Sequence, residues 1–126
     1  MAEPVMIFLQ HGAYEPAWLA TSLALSAQVA GDAVTVVLSF EALVAWVENR
    51  LGADDSAAKR RGDAASAADP NRLLTEARTL GAKLVACETV VKLSGLSTET
   101  ARTRLDEVLG LQTIWKRTEK ARVLTF

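Results

Sequence analysis

The chain has few of the residues that usually build catalytic and metal-binding centres. It contains one cysteine, Cys87, and one histidine, His11, among 126 residues. A structural zinc site needs four Cys or His ligands, so we predict no metal. A single thiol also excludes a CxxC-type dithiol cycle. The lone cysteine and the lack of an N-terminal export signal predict a reducing cytoplasm.

Several common functional signatures are missing as well. The sequence contains no GxGxxG, GxxxxGK[ST], HExxH or GxSxG motif, so we predict no nucleotide or other organic cofactor and no metalloprotease or hydrolase chemistry. The formal net charge of −1 gives no electrostatic reason for nucleic-acid binding. No apolar run approaches the roughly 18 residues that span a bilayer, so we predict no membrane segment.

Short apolar runs alternate with helical patterns in the first part of the chain. Residues 5–9 and 33–38 are continuous apolar stretches of strand length, as expected for strands covered on both faces. Residues 16–30, which Gly31 ends, and residues 40–48 have helical character. Strands alternating with helices predict a parallel sheet with crossover helices.

The second part continues the alternation. Asp69 and Pro70 are typical of a helix start, and Gly81 ends that helix. We predict a third strand at 83–86, a helix from Ser97 to 109, a helix at 111–120 and a final strand at 123–126. The chain is therefore predicted to form one three-layer α/β domain over residues 1–126, with a mostly parallel sheet of four or five strands.

Residues 51–69 interrupt this pattern with small, polar and charged side chains. Long segments of this kind in compact domains are often functional or disordered. We interpret the segment as either a mobile loop, at about 50–69, or a loosely packed helix, and we expect poor order over 54–68.

Cys87 follows the third predicted strand and precedes a short predicted helix. A helix N-terminus favours a thiolate, so Cys87 could be a reactive nucleophile. The alternative is a structural cysteine that fills space in the core.

The order of the strands decides what lies near Cys87. In a common order for such chains, the second strand lies on one side of the first strand and the third strand lies on the other. Ligands bind at the carboxyl ends of parallel strands where the order reverses. His11 and Gly12 after the first strand would then line one crevice with Cys87, Glu88 and Thr89. This arrangement predicts Cys87 as the reactive residue and the other four as binding residues, although a histidine in this position is more often an ordinary surface residue.

Three stretches of the sequence resemble the DsrE/DsrF-like family, which includes the TusD subunits of sulfur relays. They are the opening VMIFLQHGAYEPAWLATSLALSAQVA, the cysteine block GAKLVACETVVKLSGL and the ending ARVLTF. Arg122, Val123 and Phe126 fit the family's ending, whereas Ala121 replaces its usual aspartate. The resemblance implies a small flavodoxin-like parallel sheet and a persulfide on Cys87. It also implies assembly into dimers, trimers or hexamers, or with related subunits.

Two functions remain open from the sequence. The first is a sulfurtransferase-like carrier that accepts sulfane sulfur on Cys87 from a donor protein and passes it to an acceptor protein. The second is a non-catalytic oligomeric module that binds a small ligand or regulatory partner in the same crevice. A third and weaker possibility is a structural subunit, because no lysine or arginine precedes Arg50 and the later, basic part could dock an acidic neighbour.

Overall fold

The computed structural model describes residues 2–65 and 69–126, which contain five strands connected by seven helices. The strands are β1 (Pro4–Leu9), β2 (Ala33–Leu38), β3 (Lys83–Cys87), β4 (Glu107–Leu109) and β5 (Arg122–Thr125). The helices are α1 (Tyr14–Val29), α2 (Phe40–Val47), α3 (Ala57–Ala64), α4 (Pro70–Thr79), α5 (Glu88–Leu93), α6 (Thr98–Arg102) and α7 (Leu111–Arg117). Within these ranges, no helix combines the length and the apolar character needed to cross a membrane.

The strands form one sheet in the order β4-β3-β2-β1-β5, and every pairing is parallel. Parallel pairing follows from the apolar strands at the centre of the sheet, which are covered on both faces and connected by helices. The prediction of an α/β domain with four or five mostly parallel strands is therefore confirmed.

The connections divide the helices between the two faces of the sheet. The chain moves one way from β1 through β2 and β3 to β4, and then crosses back through α7 to β5. Because such crossovers are right-handed in about 98% of cases, the return helix lies on the opposite face. The larger core contains Ile7 of β1 with side chains of α1, α2 and α4, whereas the smaller core contains Met6 of β1 with Ile114 of α7.

The prediction of one helix from Ser97 to residue 109 was wrong in its C-terminal part. Ser97 caps α6, but that helix ends at Arg102 and the chain then forms the three-residue strand β4. Asp106 sets this strand in place, because its carboxylate accepts the Leu84 N–H at 2.7 Å and its own N–H donates to the Leu84 carbonyl at 2.8 Å. These contacts between distant residues override the local helical pattern.

The segment between α2 and α4 contains a helix with little packing. The Ser56 hydroxyl caps α3 by accepting the Lys59 N–H at 3.0 Å, and α3 has no buried residue. Of the two predicted alternatives, a mobile loop and a loosely packed helix, the structure agrees with the second at α3. Residues 66–68 of the predicted mobile loop lie outside the described residues, and the mobility of the segment stays a prediction. The helix start at Asp69 and Pro70 is confirmed, since the Asp69 side chain accepts the Asn71 N–H.

Candidate functional site

Cys87 is the last residue of β3 and the N-cap of α5. Its neighbour across the sheet is Leu109, the last residue of β4. After β3 the chain enters α5 on the face of the larger core, and after β4 it enters α7 on the other face. Adjacent strands whose connections leave on opposite faces create the crevice in which open α/β sheets bind ligands. Cys87 therefore lies at the topological switch point of the sheet.

The thiol of Cys87 is enclosed by apolar side chains. The residue is 3% exposed and forms no disulfide. It belongs to the smaller core, together with Met6, Val37, Val85 and Ile114. Ile114 is the only buried residue of α7, so this short helix contributes one side chain to the core that contains the thiol. A reagent that reaches the sulfur must displace part of this cover.

Polar groups lie at the entrance rather than around the sulfur. Glu88 and Thr89 form the exposed first turn of α5. A Cβ atom built on Gly110 would lie 3.9 Å from the Glu88 carboxylate, so this carboxylate sits beside the start of α7. Helix α5 has only six residues, and it already carries an acidic group at its N-terminus. The structure thus brings Cys87, Glu88 and Thr89 together at the ends of β3 and β4.

The prediction that His11 and Cys87 share one crevice was wrong, because it placed the third strand beside the first, and the structure does not. Strand β3 pairs with β2, and β2 separates it from β1. Adjacent strands are about 4.8 Å apart, so β1 and β3 are roughly 10 Å apart. His11 is exposed beyond the end of β1, whereas Cys87 is buried in the smaller core. The switch point lies between β3 and β4, and not between β1 and β3.

Gly12 is buried in the loop after β1, where the backbone packs tightly. Its N–H donates to Glu41 Oε1 at 2.6 Å, and its carbonyl accepts the Gly52 N–H at 2.9 Å. A Cβ atom at this position would lie 3.0 Å from Glu41 Cγ. Glycine therefore lets α2 approach this loop, and the contacts of Gly12 are with Glu41 of α2 and with Gly52 rather than with the Cys87 end of the sheet.

Sequence reasoning missed Leu109, which pairs with Cys87, Ile114, which shares its core, and Gly110, which lies beside Glu88. The three residues lie in β4 or in the crossover that follows it. A sequence prediction that extends a helix over 97–109 leaves no place for that strand. The available signal was the short apolar stretch 107–109 between Asp106 and Gly110. Three residues are too few for any periodicity to identify a strand.

An apolar groove lies along α7 on the face that contains Cys87. We call it the α7 groove, and Phe8, Leu111, Ile114 and Trp115 line its volume of about 400 Å³. Trp115 is 75% exposed, and Leu111 is also exposed. Contiguous exposed apolar surface of this kind typically marks an interaction site.

The fold defines a small α/β protein of the doubly wound type, with an all-parallel sheet and a cysteine at its carboxyl edge. No family model matches the sequence, and no curated protein matches it. Among solved structures, the chain is similar to the crystal structure of the ychN protein from E. coli, with a TM-score of 0.69 and 18% sequence identity. The match covers 98% of this chain and 99% of that one. This likeness shows that the two proteins share the fold.

Proposed function

We propose that this chain is a sulfur-relay protein of the DsrE-like kind, and that Cys87 carries sulfane sulfur as a persulfide. The observation that carries the proposal is the position of the only cysteine at the topological switch point between β3 and β4. The sequence resemblance in the cysteine block and the likeness to the ychN fold support it. Neither a metal nor an organic cofactor is required.

The transfer is a thiol–persulfide exchange. The Cys87 thiolate attacks the outer sulfur of a donor persulfide, the donor S–S bond breaks, and the donor sulfur leaves as a thiolate. The new bond joins Cys87 Sγ to the transferred sulfur, and the proton lost by Cys87 passes to solvent or to the leaving thiolate. An acceptor thiolate later attacks the outer sulfur in the same way. Neither step needs an external oxidant, because each exchanges one S–S bond for another.

Burial of Cys87 means that the exchange requires movement of its cover. The thiol lies in the smaller core with Ile114, the one buried side chain of α7, and Cys87 is the N-cap of α5, whose first turn is exposed. Helices with few buried contacts open at low free-energy cost compared with global unfolding. In this proposal a donor reaches Cys87 from the side of Glu88 and Thr89 when α7 shifts.

We also propose that the chain works as an oligomer in the cytoplasm, with copies of itself or with related subunits. The exposed apolar side chains of the α7 groove support this proposal, because such surface is uncommon on a monomer. His11 and Gly12 remain binding residues only as a prediction from the sequence.

A second candidate function is a non-catalytic oligomeric module that binds a small ligand or a regulatory partner. The observation that favours it is the apolar enclosure of Cys87 among Val85, Ile114 and their neighbours. Buried cysteines of this kind behave as small hydrophobic residues. Under this alternative, Cys87 contributes packing, and the crevice serves binding alone.

The test is intact-mass spectrometry of the native protein before and after exposure to an inorganic polysulfide. We expect a mass gain of one or more sulfur atoms that dithiothreitol reverses and that Cys87→Ser abolishes. His11→Ala is the matched control and should load normally, since β2 separates β1 from β3. The carrier proposal fails if the native protein gains no sulfur while the urea-unfolded protein gains it, and the binding module then becomes the better account.

A further inference from the structure

A second concave site lies at the carboxyl edge of the sheet, at the ends of β1, β2 and β5. We call it the Phe40 cavity, and it has a volume of about 200 Å³. Its lining includes Phe8, Gln10, Ser39, Phe40, Thr125 and Phe126. Cys87 does not line it, although Ser39 follows β2 and β2 pairs directly with β3, the strand that ends at Cys87.

Backbone hydrogen bonds form the walls of the Phe40 cavity before any ligand binds. The Phe126 N–H donates to the Phe8 carbonyl at 2.7 Å, and the Gln10 N–H donates to the Phe126 carbonyl at 3.0 Å. On the other side, the Ser39 N–H donates to the Leu9 carbonyl at 3.0 Å. These bonds join the ends of three parallel strands, so the cavity is part of the rigid sheet rather than of a loop.

Phe40 holds a backbone conformation that its side chain disfavours. Its φ angle is +48°, a genuine outlier for a bulky residue. Such strain persists only where the surroundings enforce it, and it concentrates at ligand-binding and switch regions. Burial does not offset it in the free chain, because Phe40 remains 46% exposed. The strained turn therefore presents an aromatic ring to the cavity without a matching gain in core packing.

The lining indicates the chemistry of a ligand. Phe8, Phe40 and Phe126 provide aromatic surface, and no charged side chain lines the cavity. Ser39 and Thr125 add hydroxyl groups, and the Ser39 hydroxyl makes no hydrogen bond to the helix that it caps. An apolar cavity of about 150 Å³ holds a benzene molecule, so this one has room for a single ring with a small substituent.

We infer that the Phe40 cavity binds a small, uncharged aromatic molecule that carries a hydrogen-bonding substituent. The ring packs against Phe40 and its aromatic neighbours, and the substituent meets Ser39, Thr125 and the Gln10 amide. This proposal does not need the proposed sulfur chemistry, since Cys87, Glu88 and Thr89 do not line the cavity, although the cavity adjoins the smaller core through Phe8 and lies beside β3 at Ser39.

The test is a ¹H–¹⁵N NMR titration of the full chain with benzamide, with benzoate as the charged counterpart. We expect benzamide at millimolar concentration to shift the amide signals of Gln10, Phe40 and Phe126, and benzoate to bind at least tenfold more weakly. Phe40→Gly removes the ring and also suits the positive φ angle, so it should weaken benzamide binding at least tenfold while raising the melting temperature. Trp115→Ala is the matched control, because it removes an exposed aromatic ring in the α7 groove and should leave benzamide binding unchanged.

The outcomes separate this proposal from its rivals. Absence of shifts with benzamide, or shifts confined to the α7 groove, would overturn the inference. A lower melting temperature for Phe40→Gly would mean that the ring supports the fold, and it would overturn the role given to strain. Cys87→Ser should bind benzamide normally, so failure of the sulfur proposal and failure of this one are distinguishable.

Discussion

The substitution Ile114→Ala tests whether α7 is the cover that controls access to Cys87. Ile114 is 2% exposed, is the only buried residue of α7, and shares the smaller core with Cys87. If the thiol is reached by local displacement of α7, shortening this side chain should raise the reactivity of Cys87 without unfolding the rest of the protein.

The size of the effect follows from the groups removed. Replacing isoleucine by alanine deletes three carbon groups at about 0.8 kcal/mol each, or roughly 2.4 kcal/mol. The additional cavity penalty should be small, because the α7 groove next to Ile114 is already open. With tenfold for each 1.4 kcal/mol, a loss of this size raises the population of the open state about fiftyfold.

The assay is the rate at which an excess of an aromatic disulfide labels Cys87 in the native protein. Ile7→Ala is the matched control, since Ile7 is fully buried in the larger core on the opposite face and loses the same groups. We expect about fiftyfold faster labelling in Ile114→Ala and little change in Ile7→Ala. Equal acceleration in both variants would mean that labelling follows global unfolding, and an unchanged rate in Ile114→Ala would mean that α7 is not the cover.

Two further predictions concern the elements around the site. Burial raises the pKa of Asp106, but hydrogen bonds from the Leu84 N–H and the Arg78 guanidinium outweigh it and hold the pKa below its ordinary value of 3.8. The stability that Asp106 contributes is therefore fully present above pH 3.8 and is lost as the pH falls through its folded-state value. Asp106→Asn should cost about 1–3 kcal/mol in urea unfolding at pH 7 and should flatten the acid limb of the stability curve; an unchanged midpoint would contradict this anchoring role. In α3, a Cβ atom on Gly62 would lie 3.0 Å from Tyr14 Cζ, which is too close for an undisturbed contact. Gly62→Ala should therefore accelerate tryptic cleavage within α3, even though alanine favours helices over glycine by about 1 kcal/mol. Slower cleavage would show that helix propensity outweighs the contact with Tyr14.

The elements that local patterns specify were predicted well. Strand β2 was predicted with the bounds that the structure shows, and the α4 start at Asp69 and Pro70 was found from capping residues alone. Both signals are contained within a few consecutive residues: a continuous apolar run in one case, and a side chain that accepts a nearby N–H in the other. The resulting alternation of strands and helices was sufficient to predict a parallel sheet.

Strand order could not be predicted in the same way, because it depends on contacts between residues far apart in the chain. Nothing in residues 83–87 states whether β3 pairs with β1 or with β2. In the structure β3 pairs with β2, with Val85 opposite Val37. This pairing is determined by the way in which the crossover through α2, α3 and α4 packs on the sheet. The expected proximity of His11 to Cys87 depended on the wrong choice, so it failed although both residues were correctly placed at strand ends.

The missing strand β4 explains why Cys87 still lies at a switch point although the expected strand order was wrong. If β4 is left out of the sheet, the crossover to β5 has no strand at the far edge from which to begin. The point at which the strand order reverses then has to be placed beside β1. With β4 beside β3, the chain leaves Cys87 toward one face and leaves Leu109 toward the other, so the reversal falls on the cysteine itself. The imidazole of His11 is then absent from the crevice, so the proposed sulfur transfer does not use it as a base. In the proposed function, the reactivity of Cys87 depends on movement of α5 and α7, because Cys87 is the N-cap of α5 and shares the smaller core with Ile114 of α7.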